Sequence, residues 1–249
     1  MKQVVVYVGN CLVGDALWTW KHFRPNANEH ITAFVIPYNR GAVEMLRDTC
    51  TLQIDAIEEP IVPDANIPFM GMGGYHDWCQ KYNAVAPCDE ARYFDGSQSL
   101  EPLPVRKEFQ WGQQRPPTYV TMQIDSVHTW KRIAGIPEVV QKVGTPCYLI
   151  QHSGQLSPDV PIAGDCTNQP LVAVAQVLLS AQAHVGINSS ISVLAALLGV
   201  PTVICGASMS SFTDVPPTVR LIPHGGDDLI EAALRNLLMV YNDPTISTP

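Results

Sequence analysis

Apolar, β-branched runs alternate with helix-period segments along most of the chain, the pattern of βα units wound around parallel sheets. Lys2–Val8 is a continuous apolar run and predicts a first strand, with a helix over Gly14–Phe23 after it. Ile31–Pro37 predicts a second strand, followed by a helix from about Gly41 to Asp48 and a further short strand within Thr51–Pro60. From Pro60 to Pro117 the pattern weakens: prolines concentrate there, Gly71–Gly74 form a cluster, and one helix is predicted near His76–Asn83. Glu101–Pro117, with Pro102, Pro104, Pro116 and Pro117, reads as an interdomain connection whose prolines limit its flexibility.

Regular patterning then returns. Strands are predicted at Thr118–Ile124, Pro146–Gln151, His184–Asn188, Thr202–Cys205 and Val219–Ile222. Helices are predicted at Ile136–Val143, Leu171–Gln182, Ser190–Gly199 and Asp227–Tyr241, the last with Asp227 and Asp228 at its positive end. The expected organisation is α/β and compact, with two βα-rich domains: 1–115 and 116–249.

The chain has 249 residues, enough for two small domains with substantial cores. Its apolar runs are broken by polar residues and fall short of a membrane span, and the start reads directly as a strand rather than a signal peptide. Cytoplasmic residence follows as the expectation, with any membrane association peripheral. Seven cysteines without a CxxC pair form neither a disulfide framework nor metal-ligand spacing. Fifteen Lys and Arg against 23 Asp and Glu give a net charge of −8, which argues against a broad phosphate-backbone interface.

Three places carry candidate chemistry. The turn after the first strand, Gly9-Asn10-Cys11-Leu12-Val13-Gly14-Asp15, spaces two glycines like a phosphate loop, but Asp15 and Ala16 stand where such a loop needs Lys and Ser or Thr. A nucleoside triphosphatase is thereby excluded. Ligands of open α/β sheets sit beyond the carboxyl ends of strands, where Asp15 lies and where a carboxylate can act as general base towards a hydroxyl. By spacing alone a helix cap is the commoner role for such an Asp.

The second place is Asn188-Ser189-Ser190-Ile191, a small polar turn between a strand and a helix, whose first N–H groups suit a diphosphate. An ordinary serine cap fits the same spacing. The third is Lys131-Arg132, two adjacent cations able to offset phosphate charge or to sit in solvent. His128 and His152 lack metal-ligand spacing, and no Asp-x-Asp, GxSxG or HExxH motif occurs.

In this order the three elements resemble glycosyltransferase family nine, the heptosyltransferase-like enzymes. There, a first strand leads to Gly-Asp at the head of a helix, as with Gly14-Asp15, and a Lys-Arg-Trp-like element is approximated by Lys131-Arg132-Ile133. The family signature Asp-Ser-Gly-x-x-His-Leu-Ala-Ala-x-Leu-Gly-x-Pro-x-Val stands beside Asn188-Ser189-Ser190-Ile191-Ser192-Val193-Leu194-Ala195-Ala196-Leu197-Leu198-Gly199-Val200-Pro201-Thr202-Val203. The match covers the first fifth of the chain loosely and residues 118–207 more closely. Asn188, Ser190 and Val193 replace the family's Asp, Gly and His, which alters side-chain contacts to a donor while leaving a backbone cradle intact.

The resemblance implies a GT-B architecture, two Rossmann-like domains facing across a cleft, with the acceptor on the first and the nucleotide sugar on the second. It implies inverting transfer to a glycan, glycolipid or other hydroxyl, with no cofactor and no metal. Asp15 would be the base, with Asn10 and Gly14 in the loop near the acceptor, and Lys131, Arg132, Asn188, Ser189, Ser190 and Ile191 would bind the donor. A nucleic-acid base as acceptor, as in some viral enzymes, is the alternative that the acidic balance disfavours. A nucleotide-sugar-binding subunit without turnover and a two-domain sugar-nucleotide epimerase are the others.

Overall fold

In the computed structural model the described residues are 1–7, 13–24, 26–35, 37–54, 56–58, 89–93, 98–111, 118–126, 131–133, 135–151, 158–223 and 226–241. They form two compact units, Met1–Ser97 and Gln98–Pro249.

The first unit is a parallel sheet of β1 (Lys2–Tyr7), β2 (Glu29–Phe34), β3 (Ala56–Glu58) and β4 (Glu90–Tyr93), in the order β3-β2-β1-β4. Val4, Val5 and Val6 of β1 are all buried, which a strand achieves only when both faces of its sheet are covered. Helix α1 (Val13–Trp18) packs against α2 (Pro37–Thr49). In α2, Ala42, Val43, Met45 and Leu46 recur at helical spacing and are buried, and Pro37 opens the first turn, where a missing N–H costs nothing. The predicted helix over Gly14–Phe23 ends early: beyond Trp18 the chain tightens into a 3₁₀ turn, Thr19–Phe23. The Thr19 hydroxyl donates to the Ala16 carbonyl at 2.6 Å, and the tighter turn buries both Trp20 and Phe23. Strand β4 was not expected, because Glu90-Ala91-Arg92-Tyr93 has neither an apolar run nor a clear alternation. It is held by charge: Arg92 bonds Glu90 on its own strand at 2.8 Å and Glu29 on β2 at 2.6 Å, spanning β1 between them. The helix predicted near His76–Asn83 lies outside the described residues.

The second unit holds a six-stranded parallel sheet: β5 (Val120–Gln123), β6 (Cys147–Leu149), β7 (Gly164–Asp165), β8 (His184–Ile187), β9 (Thr202–Cys205) and β10 (Val219–Ile222). Their order is β10-β9-β8-β5-β6-β7. The chain therefore moves from β5 outward to β6 and β7, then returns to the other side of β5 for β8, β9 and β10. The order reverses between β5 and β8. The helices are α3 (Ile136–Val143), α4 (Leu171–Leu179), α5 (Ser190–Leu197) and α6 (Asp227–Tyr241). Alternate strand residues Val120, Met122, Cys147, Leu149, Val185, Ile187, Val203 and Cys205 form one core with Ile136, Val139 and Val140 of α3 and Ile230, Leu234 and Leu237 of α6.

Helix α5 ends as its sequence foretells. Gly199 takes φ +78°, its N–H bonds the Ala196 carbonyl at 3.0 Å, and the Val200 N–H reaches Ala195 at 3.1 Å. This double closure returns the chain directly into β9, and the left-handed residue is one that only glycine takes without strain.

Residues 98–111, most of them in the stretch read as an interdomain connection, belong to the second unit. Leu100 and Leu103 are buried there; the Leu100 N–H bonds Thr213, the Leu103 N–H bonds Leu197, and the Trp111 indole donates to Ala181. The compact units thus divide at residue 97/98, ahead of the 115/116 boundary expected from the prolines. Two leucines and a tryptophan outweigh the loop character of their neighbours.

Cys50, Cys147 and Cys205 are buried and reduced, and burial pushes the thiols of Cys147 and Cys205 up to about 12. Among the described residues no helix is long and apolar enough to cross a membrane, and no group of three or more His, Cys, Asp or Glu could hold a metal.

Candidate functional site

In an open parallel sheet, a crevice forms beyond the strand ends where the strand order reverses, because neighbouring connections leave in opposite directions. In the second unit that place is the carboxyl edge of β5 and β8. At this edge lie Gln123, the last residue of β5, and, beyond the two strands, Asp125, Asn188, Ser189 and the first turn of α5.

Ser189 occupies the cap position of α5, in extended backbone at φ −149°, and its carbonyl accepts the first intrahelical bond from Val193 at 3.0 Å. Its hydroxyl does not cap the helix. It donates instead to Oε1 of Gln123, a side chain only 2% exposed at the end of β5. Among the described residues the N–H groups of Ser190, Ile191 and Ser192 have no partner, and neither have the Asn188 carboxamide and the Ser190 hydroxyl. Three aligned donors at the positive end of a helix attract an anion.

Two further contacts fix this turn. The Gln123 Nε2 donates to the Asp125 carbonyl at 3.1 Å. The Asp125 carboxylate, 2% exposed, takes a two-pronged bond from Arg132, Nε at 2.8 Å and Nη2 at 3.2 Å, and the Ser126 N–H at 2.8 Å. A buried carboxylate is stable in its charged form only with such partners. Ser189, Gln123, Asp125 and Arg132 are thus one connected network at the reversal of the sheet.

His184 lies beneath it, fully buried on β8. Its Nδ1 meets Thr121 Oγ1 of β5 at 3.0 Å and its Nε2 meets Ser192 Oγ of α5 at 3.1 Å. Burial pushes this imidazole down to about 3, so it is neutral near pH 7 and serves as one donor and one acceptor. It ties α5 to the sheet. Gly186, two residues on, makes the close approach possible: a Cβ there would lie 2.5 Å from Ser192 Oγ, 2.7 Å from His184 Nε2 and 3.1 Å from Gln123 Cβ.

The structure therefore brings Asn188, Ser189, Ser190 and Ile191 together at one edge and links Arg132 to them through Asp125. Lys131 is the half-buried neighbour of Arg132 on the same connection. In the first unit, Gly14 and Asp15 lie in the first turn of α1, the helix that follows β1. That sheet also reverses at β1, between β2–β3 on one side and β4 on the other. Asn10, His128 and His152 lie outside the described residues.

Sequence reasoning passed over Gln123, Asp125 and His184. A signal was present in Thr118-Tyr119-Val120-Thr121-Met122-Gln123-Ile124-Asp125, where Thr121, Gln123 and Asp125 alternate with apolar residues in a central strand. Polar residues alternating in a strand whose both faces are covered need buried partners.

No protein-family model matches the sequence, nor does any curated protein. Solved structures do match in fold. A glycosyl transferase family 9 protein from Veillonella parvula superposes with a TM-score of 0.64 at 12% identity, covering 96% of this chain and 97% of that one. ADP-heptose LPS heptosyltransferase II of E. coli gives 0.63 at 13% identity, over 96% and 99% of the two chains. E. coli heptosyltransferase WaaC, solved with ADP, gives 0.58 at 12% identity, over 95% and 99%. The chain has the α/β fold of these glycosyltransferases, with all strands of both sheets parallel.

Proposed function

We propose that the protein transfers a sugar from a nucleotide-diphosphate sugar to an acceptor hydroxyl, with inversion at the anomeric carbon and without a metal. The observation that carries this reading is the first turn of α5, where the cap serine is turned away to Gln123 and three backbone N–H groups have no partner among the described residues. A diphosphate supplies the acceptors that such a turn lacks. The fold agrees, since a solved heptosyltransferase that shares it holds ADP.

In this mechanism Asp15 takes the proton from the acceptor hydroxyl as that oxygen attacks the anomeric carbon. The bond from that carbon to the diphosphate oxygen breaks, and the charge left on the diphosphate is met by the N–H groups of Ser190, Ile191 and Ser192 and by Lys131. Asn188 and the serine hydroxyls complete the donor contacts. Removing one preorganised donor of this kind costs roughly 3–4 kcal/mol, two to three decades in rate. Arg132, already held by Asp125, contributes position more than net charge. The acceptor is a glycan, glycolipid or another hydroxyl compound, and the net charge of −8 speaks against nucleic acid.

A screen of nucleotide sugars and nucleoside diphosphates by thermal shift, without added metal, tests the donor half. One nucleotide family is expected to raise the melting temperature by mass action, and Lys131→Ala to reduce that rise. A panel that leaves the melting temperature unmoved contradicts the reading. A second reading has one observation behind it: Val193, where the resembling family has His, is 2% exposed and apolar. A subunit that binds the donor without turnover would show the same thermal shift with no product in a transfer assay.

A further inference from the structure

The network at the end of β5 decides what Ser189 can offer a ligand. The Asp125 carbonyl oxygen has no proton to give, so the atom of Gln123 that faces it, 3.1 Å away, is the amide nitrogen. That fixes the carboxamide the other way round towards Ser189, presenting Oε1. An amide oxygen only accepts, so the single proton of the Ser189 hydroxyl is committed to Gln123. What Ser189 retains for a ligand is lone pairs. Gln123 is 2% exposed, its Cβ lies 3.1 Å from where a side chain on Gly186 would begin, and Asp125 is anchored in turn by Arg132. Turning the amide over would set two oxygens against each other at Asp125, so this packing holds one orientation.

From this we infer that Ser189 is a specificity-determining acceptor that reads a hydroxyl group of the donor, on its ribose or its sugar, and that Gln123 is the positioning residue that sets this polarity. The inference rests on the crevice being a nucleotide-sugar site and deepens that reading. A phosphate oxygen is also an acceptor, so Ser189 gains nothing by facing it. Ser190, whose hydroxyl has no partner among the described residues, and the N–H groups of Ser190, Ile191 and Ser192 are the donors that suit the diphosphate.

Affinities of wild type, Ser189→Ala, Ser190→Ala and Gln123→Met are compared by calorimetry for three probes. These are inorganic pyrophosphate, the ribonucleoside diphosphate of highest affinity among ADP, GDP, CDP and UDP, and the matching nucleotide sugar. Ser189→Ala is expected to leave pyrophosphate binding unchanged and to weaken a hydroxyl-bearing probe about three- to tenfold, the range for one neutral hydrogen bond. A loss already present with the nucleoside diphosphate places the contact on the ribose, and a loss confined to the nucleotide sugar places it on the sugar. Ser190→Ala should weaken all three probes alike. Gln123→Met, which releases the Ser189 proton, should lower the preference for the nucleotide over pyrophosphate, a ratio that simple destabilisation does not move. Equal weakening of pyrophosphate and nucleotide by Ser189→Ala overturns the inference while leaving the donor site standing, as does no weakening of any probe. A wild-type protein that binds none of the three overturns the donor site itself, and this inference with it.

Discussion

Replacing Asp15 with alanine is expected to lower the rate of sugar transfer by at least about a hundredfold, the lower end of what a positioned general base contributes. Donor affinity should stay within about twofold of wild type, because every group assigned to the donor lies in the second unit. The position of Asp15 in the fold gives the prediction its ground. It is the third residue of α1 and so lies within the helix rather than at its cap position. It follows the strand at which the first sheet reverses its order, where ligands of such sheets gather. A carboxylate in the first turn also favours the helix dipole, a contribution typically of about 0.3–1 kcal/mol. Steady-state kinetics beside donor calorimetry separates the two roles. A variant that loses stability and keeps its turnover number would show Asp15 to be a structural residue of α1.

The second large effect concerns Arg132, and it falls on stability rather than on donor binding. Truncating Arg132 to alanine removes the guanidinium that makes a two-pronged bond to the Asp125 carboxylate, which is 2% exposed. Breaking a fully buried pair this way costs about 3–5 kcal/mol. The Arg132 side chain is itself 33% exposed, so water takes up part of the loss and about 2–3 kcal/mol is the expected figure. Arg132→Ala combined with Asp125→Asn should be less destabilised than the sum of the single variants, since the two changes remove the same ion pair. Urea unfolding of the four proteins measures this coupling directly. An Arg132→Ala protein as stable as wild type, with donor affinity down tenfold, would instead place the guanidinium on the ligand.

The pairing of Arg132 shows what spacing can and cannot reveal. Two adjacent cations look equivalent in sequence, and only the fold shows that one faces a carboxylate seven residues back. The second sheet was largely legible, since its strands are short apolar runs, several of them next to a glycine or proline, and α3 and α6 match their expected bounds. Strands β4 and β7 were not, because four residues held by ion pairs and two residues at a sheet edge leave no hydrophobic period to read. The turn at 188–191 was placed at the head of a helix from its pattern alone. That Ser189 spends its proton on Gln123 rather than on the helix depends on β5 and β8 being neighbours, and no local pattern carries that pairing. For the same reason His184, apolar on every side in sequence, gave no sign that it joins Thr121 to Ser192.

The central claim is that a nucleotide diphosphate rests on the first turn of α5, and amide hydrogen exchange with and without the best-binding nucleotide sugar tests it most directly. The account predicts slowed exchange at the amides of Ser190, Ile191 and Ser192, with little change in the last turns of α3 and α6, which pack on the other face of the sheet. Protection that appears elsewhere in the chain and leaves these three amides unaltered would contradict it.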